Sequence, residues 1–89
     1  LAQFVARPFD YLARHRIRVN AIVPGWIATD MTERSVSNPQ FGDAVLPRIP
    51  ARRWGTPEDF GGIAVYLASD VSSCTTGEQS VIDGGYTKF

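Results

Sequence analysis

Apolar residues recur along this chain first at helical spacing, then almost without interruption, then at helical spacing again. Over residues 1–15, Leu1, Phe4, Val5, Phe9 and Leu12 share one helical face. Pro8 falls inside that pattern; it removes one backbone hydrogen bond at a cost of about 3 kcal/mol and predicts a kink or a break. Arg14, His15 and Arg16 suit the negative end of the helix dipole, but no glycine supplies a left-handed cap, so the exit should be irregular. Residues 17–23 then read as a strand. Ile17, Val19, Ala21 and Val23 occupy one face and Ile22 the other, the near-continuous pattern of a parallel strand covered on both sides. Pro24-Gly25 ends it, either as an ordinary turn or as the sharp exit that leaves the next residues facing a ligand.

Beyond that turn, Thr29 or Asp30 is expected to cap a short helix over 30–36, with Glu33 in capping-box spacing from Asp30. Such a helix start offers free N–H groups to phosphate oxygens, so capping and anion binding are compatible roles for Thr29. Residues 35–55 are broken by Pro39, Pro47 and Pro50, and Asn38-Pro39 predicts the start of a short helix carrying Phe41, Val45 and Leu46. This stretch reads as a lid or as a plain surface loop; its apolar residues must cover something, which favours the lid. Arg52 and Arg53 either clamp an acidic group or are solvated and salt-bridged.

Thr56-Pro57-Glu58-Asp59 is a helix start: Thr56 caps, Pro57 takes the first position and Asp59 completes the box. Phe60, Ile63, Ala64, Leu67 and Ala68 follow as a stripe meant for burial. Gly61 and Gly62 cost about 1 kcal/mol each of helix propensity, which predicts a close backbone approach there. Val65 and Tyr66 lie off the stripe and point to a second covered face, such as a subunit contact. After a polar connection over 69–77, residues 79–83 form a second short strand centred on Val81 and Ile82. Asp83-Gly84-Gly85 is a tight turn, and the tail from Tyr86 to Phe89 should dock. Helices joined to strands by short connections make this an α/β chain.

Composition narrows the function classes. Eighty-nine residues hold one small domain at most. Nine basic and nine acidic residues cancel, leaving no electrostatic footprint for nucleic acid or a membrane surface. Without an apolar run of about 18 residues, no membrane-spanning helix is expected. Cys74 stands alone, which excludes an internal disulfide, fits a reducing compartment such as the cytoplasm, and leaves no metal-ligand set. His15 has no carboxylate or nucleophile spaced to orient it and reads as a solvated helix-end cation. The first residues read as helix with no initiating Met and no signal peptide, so the chain is expected to begin inside a longer protein.

Three anchors, in order, resemble the short-chain dehydrogenase/reductase family. They are Ile17-Arg18-Val19-Asn20 running into Pro24-Gly25 and Thr29; Gly55-Thr56-Pro57-Glu58-Asp59 with Leu67-Ala68-Ser69-Asp70; and Thr76-Gly77 leading to Asp83-Gly84-Gly85. The resemblance covers essentially the whole chain and implies the C-terminal part of one Rossmann-type doubly wound parallel sheet, its last two strands with their flanking helices. It implies NAD or NADP as cofactor. Pro24 and Gly25 would line the nicotinamide pocket, the Ile27 backbone would bond the carboxamide, and Thr29 the carboxamide or pyrophosphate. Trp26 and Met31 would edge a small-molecule substrate, and residues 31–50 match the family's substrate lid.

The same resemblance puts every catalytic residue, the serine and the tyrosine-lysine pair, before Leu1. Tyr11 has no lysine four residues on and cannot stand in. Pro8 departs from the family's continuous helix, and Arg16 stands where glycine is common. The implied activity is an alcohol–ketone interconversion on a sugar, polyol or sugar acid, in a homodimer or homotetramer. A reductase of 3-oxoacyl thioesters and a non-catalytic scaffold or subunit-contact module are the alternatives.

Overall fold

The computed structural model describes residues 10–88. The part of the predicted first helix carrying Leu1, Phe4, Val5, Pro8 and Phe9 therefore lies outside the described residues. The chain divides into two compact units, Leu1–Val23 with Gly62–Val81, and Pro24–Gly61 with Ile82–Phe89.

In the first unit, a helical turn at 10–12 tightens into a 3₁₀ turn, Ala13–His15. The irregular exit is present. Lacking a glycine, the chain puts Arg16 itself into the left-handed region at φ 61°, where its N–H donates to Ala13 O at 3.0 Å. A non-glycine residue pays about 1–2 kcal/mol for that conformation.

The first strand, β1 (Ala21–Pro24), is shorter than the expected 17–23. The backbone that would have extended it is bonded to the loop before β2, partly through side chains. Val19 N–H donates to Thr76 Oγ1 at 3.1 Å, and Gly77 N–H donates to Val19 O at 2.8 Å. Asn20 bridges the same loop, its Nδ2 donating to Thr75 O at 3.1 Å and its Oδ1 accepting Glu78 N–H at 3.0 Å. The second strand, β2 (Gln79–Ile82), then runs beside β1 in a two-stranded sheet. Ala21 N–H donates to Glu78 O and Gly25 N–H to Ile82 O, so both strands advance in step and the pairing is parallel, as expected.

The loop before β2 is held by Arg18. Its guanidinium donates to Ser72 Oγ at 2.8 Å and to Ser69 O at 3.3 Å, while the single Ser72 hydroxyl proton is shared between Ser69 O at 3.0 Å and Leu67 O at 3.2 Å. Ser72 is fully buried and fully satisfied, so its hydroxyl carries no desolvation penalty.

The helix α3 (Gly61–Ala68) follows the 3₁₀ turn Pro57–Phe60. Its expected stripe is only partly covered. Phe60, Ile63 and Leu67 are half-buried, but Ala64 and Ala68 are exposed. The close approach predicted at Gly61 and Gly62 is not made within this chain, since a Cβ at either would meet nothing within 4 Å. Val65 and Tyr66 stay exposed, at 69% and 42%.

In the second unit, α1 (Glu33–Ser37) and α2 (Pro39–Val45) follow the end of β1. Asn38 caps α2 as predicted, accepting Gln40 N–H at 3.0 Å with Pro39 in the first turn. Ile49 is the one fully buried apolar side chain among the described residues. The tight turn is present, with Gly84 and Gly85 at φ 64° and 92°. The tail docks: Tyr86 meets Trp26 edge-on, ring centroids 6.0 Å apart.

Candidate functional site

The end of β1 shapes the candidate site. A Cβ at Gly25 would lie 2.5 Å from Asp83 Cβ and 2.8 Å from Asp83 Cα, so only glycine lets the strand end pass the Asp83 backbone. The next residues form an isolated parallel bridge with Gly55: Gly55 N–H donates to Trp26 O at 2.9 Å and Ala28 N–H to Gly55 O at 2.8 Å. In that register Ile27 turns its own N–H and C=O away from Gly55. The Ile27 N–H has no hydrogen-bond partner among the described residues.

Thr32 organises the segment from Ile27 to Thr29, and sequence reasoning passed it over. Its hydroxyl donates to Ile27 O at 2.6 Å and accepts Thr29 N–H at 2.8 Å. This corrects the expected cap. The helix starts at Glu33, with Thr32 and neither Thr29 nor Asp30 at the N-cap, because the chain first closes a turn through Thr32 N–H to Thr29 O at 3.0 Å. The Thr-x-x-Thr spacing was the available signal.

The predicted site residues do not all meet. Trp26 and Ile27 line a small cavity of about 110 Å³ with Arg53, Asp59, Phe60 and Asp83. Thr29 lies instead on an open groove with Asp30, Glu33 and Pro57. Pro24 and Met31 line neither, and Met31 is 96% exposed. Trp26 is held by an aromatic cluster, edge-on to Phe41 and Trp54, which stack on each other with centroids 5.8 Å apart. The sequence flagged these rings singly and not as one group.

Arg53 resolves in favour of the salt bridge. Its guanidinium grips Asp59 through two bonds of 2.9 and 2.8 Å, and Asp59 also accepts Thr56 N–H at 2.8 Å, the carboxylate half of the predicted capping box. Arg52 turns away and donates to Pro47 O. The Arg53 bond, followed by the Thr56 N–H, holds the Asp59 carboxyl well below the usual carboxylate range, and Asp59 in turn raises Arg53. The Thr87 hydroxyl and N–H, with the Gly85 N–H, likewise lower Asp83. A carboxyl depressed in the folded state stabilises fully above its unfolded pKa, and that stability is lost as pH falls through the folded value. The urea midpoint should therefore be flat above about pH 5 and drop below about pH 4. Asp59→Asn should lower it at neutral pH and flatten its fall with acid. An equally steep acid limb in the variant would contradict this.

Among the described residues there is no group of His, Cys, Asp or Glu that could hold a metal ion, and no helix long and apolar enough to cross a membrane. A backbone donor unpartnered among the described residues, an exposed hydroxyl and an aromatic edge follow the carboxyl end of a parallel strand, the place where open α/β sheets bind ligands.

Comparison with known proteins agrees with this architecture. A family model described as enoyl-(acyl carrier protein) reductase matches residues 5–87. Gluconate 5-dehydrogenase of Gluconobacter oxydans is 45% identical over 74 residues, 83% of this chain and 29% of that protein. A 3-oxoacyl-[acyl-carrier-protein] reductase of Chlamydia pneumoniae is 47% identical over 76 residues, 85% of this chain and 30% of that protein. The crystal structure of a gluconate 5-dehydrogenase from Burkholderia cenocepacia, in complex with NADP and tartrate, superposes with a TM-score of 0.92 at 31% identity, covering 99% of this chain and 34% of that one. The chain thus spans about a third of the length of the relatives it matches. With its parallel strand pair, its Pro-Gly strand exit and its Asp-Gly-Gly turn in order, the chain belongs to the short-chain dehydrogenase/reductase family.

Proposed function

We propose that this chain forms the nicotinamide-side wall of an NAD(P)-dependent oxidoreductase that interconverts an alcohol and a ketone on a sugar acid, sugar or polyol. The observation that carries the reading is the Ile27 N–H, unpartnered among the described residues, with the exposed hydroxyl of Thr29 two residues on, past the carboxyl end of β1. A carboxamide needs one donor and one acceptor, and this donor set fits it. The nicotinamide ring, when bound, supplies the hydride chemistry. This chain's residues bind and orient: Ile27 and Thr29 hold the carboxamide, Pro24 and Gly25 border the nicotinamide, and Trp26 and Met31 edge the substrate. Residues 31–50 act as the lid within one Rossmann domain, excluding water when closed. The proton-handling groups lie outside these residues.

Sugar acids lead among substrates because the Gluconobacter and Burkholderia gluconate dehydrogenases resemble this chain in sequence and in fold. The Chlamydia reductase keeps a 3-oxoacyl thioester as the second reading. Assembly into a homodimer or homotetramer through residues 57–69 and β2 follows from the exposed Val65 and Tyr66, and a reducing, cytoplasmic setting suits the lone Cys74.

The test is a chimera in which this chain replaces the corresponding segment of the Gluconobacter oxydans enzyme. It should oxidise gluconate with NAD or NADP, while the isolated 89-residue chain turns over nothing. Reduction of a 3-oxoacyl thioester without gluconate oxidation would select the second reading. A chimera folded by circular dichroism but inactive on both overturns the enzyme reading.

A further inference from the structure

We infer that Thr32 is a positioning residue: its hydroxyl sets both the backbone and the hydrogen-bond polarity of the Ile27–Thr29 wall. This rests on the proposed function and assigns a role to a side chain which that function does not otherwise use.

A threonine hydroxyl has one proton and two lone pairs. Here the proton goes to Ile27 O, the shortest of its bonds at 2.6 Å, and one lone pair accepts Thr29 N–H at 2.8 Å. The remaining lone pair faces Thr29 Oγ1 at 3.3 Å. Thr29 O lies farther from the same hydroxyl, at 3.2 Å, so the proton stays with Ile27 O and Thr29 Oγ1 is left to donate in the 3.3 Å contact. Its own lone pairs then point outward, and Thr29 presents an acceptor.

The wall consequently offers one donor, Ile27 N–H, and one acceptor, Thr29 Oγ1. That is the complement of a carboxamide, with its C=O and NH₂, and a poor match for a phosphate, which carries acceptors only at neutral pH.

The helix shows what this arrangement displaces. An N-cap threonine normally turns its oxygen onto the N–H of the second or third helical residue. Thr32 is the N-cap of α1 and makes no such bond. Its hydroxyl faces back to the strand end, so the wall and the first turn of the lid share one side chain.

Two variants test this. Thr32→Val keeps the shape and removes the hydroxyl; Thr32→Ser keeps the hydroxyl. In the full chain without cofactor, Thr32→Val should speed amide hydrogen exchange at Thr29 by about tenfold, with Thr32→Ser near the parent rate. In the chimera, Thr32→Val should raise KM for the dinucleotide about tenfold with kcat within about twofold, and Thr32→Ser should restore KM. Unchanged Thr29 exchange in Thr32→Val overturns the latch. A KM raised equally by both variants, or a loss confined to kcat, overturns the positioning role. If the parent chimera is itself inactive, the proposed function fails and the cofactor role of Thr32 with it, while the exchange result still decides the latch.

Discussion

Gly25→Ala should cost this protein about 3 kcal/mol, measured as a fall in the urea midpoint at unchanged slope. The new methyl carbon would stand 2.5 Å from Asp83 Cβ and 2.8 Å from Asp83 Cα. Neither atom belongs to a flexible side-chain end. Asp83 is fixed by Gly85 N–H at 2.9 Å, Thr87 N–H at 2.9 Å and Thr87 Oγ1 at 2.7 Å, and Gly25 N–H is itself bonded to Ile82 O at 3.1 Å. Relief requires a backbone shift that breaks one of these sets. Gly61→Ala is the matched control. Its methyl would meet nothing within 4 Å, on a backbone already helical at φ −60° and ψ −47°, so it should stabilise by up to about 1 kcal/mol. Similar losses in both variants would mean that glycine acts at 25 through chain flexibility and not through the Asp83 contact.

This contrast also marks what the sequence could show. Features set by local chemistry were legible: the Pro-Gly strand exit, the Asn38-Pro39 helix start, the Asp-Gly-Gly turn and the Thr56–Asp59 box all formed where expected. The two strands were legible as elements but not in length, because Val19 and Asn20 are diverted to the loop over 75–78, far away in sequence. Gly25, Gly61 and Gly62 look alike as letters, and only Gly25 is forced by a close neighbour. At the candidate site, the Pro-Gly exit pointed to Ile27 and Thr29 but hid the means of holding them. A threonine near a helix start reads as a cap, whereas Thr32 spends its hydroxyl on the preceding strand end. The aromatic cluster around Trp26 was hidden for a similar reason, since Phe41, Trp54 and Tyr86 come from separate segments.

Ile49→Ala carries the other large expected loss, about 2–5 kcal/mol. Ile49 is 1% exposed, and it reaches the tight turn closely enough that a Cβ at Gly84 would stand 2.9 Å from its Cγ2. The segment around it is stitched to that turn by Ala51 N–H to Gly84 O at 2.9 Å, and Arg52 beside it holds a left-handed backbone at φ 58° through its N–H to Ile49 O at 2.8 Å. Removing the side chain leaves a void under a turn whose backbone bonds fix its walls, so the site collapses poorly and the upper half of the range applies. Ile49→Val, which deletes one methylene, should cost only about 1 kcal/mol. Because the remaining apolar side chains of this unit are half-buried or exposed among the described residues, little else there compensates, and Ile49→Ala should loosen the unit as a whole. Trp26 and Trp54 report on that directly: their fluorescence should shift to the red in Ile49→Ala, and amide exchange should quicken from 46 to 55 and from 82 to 87 together. Faster exchange confined to 46–52 would show instead that the Asp83–Thr87 bonds hold the tail without Ile49.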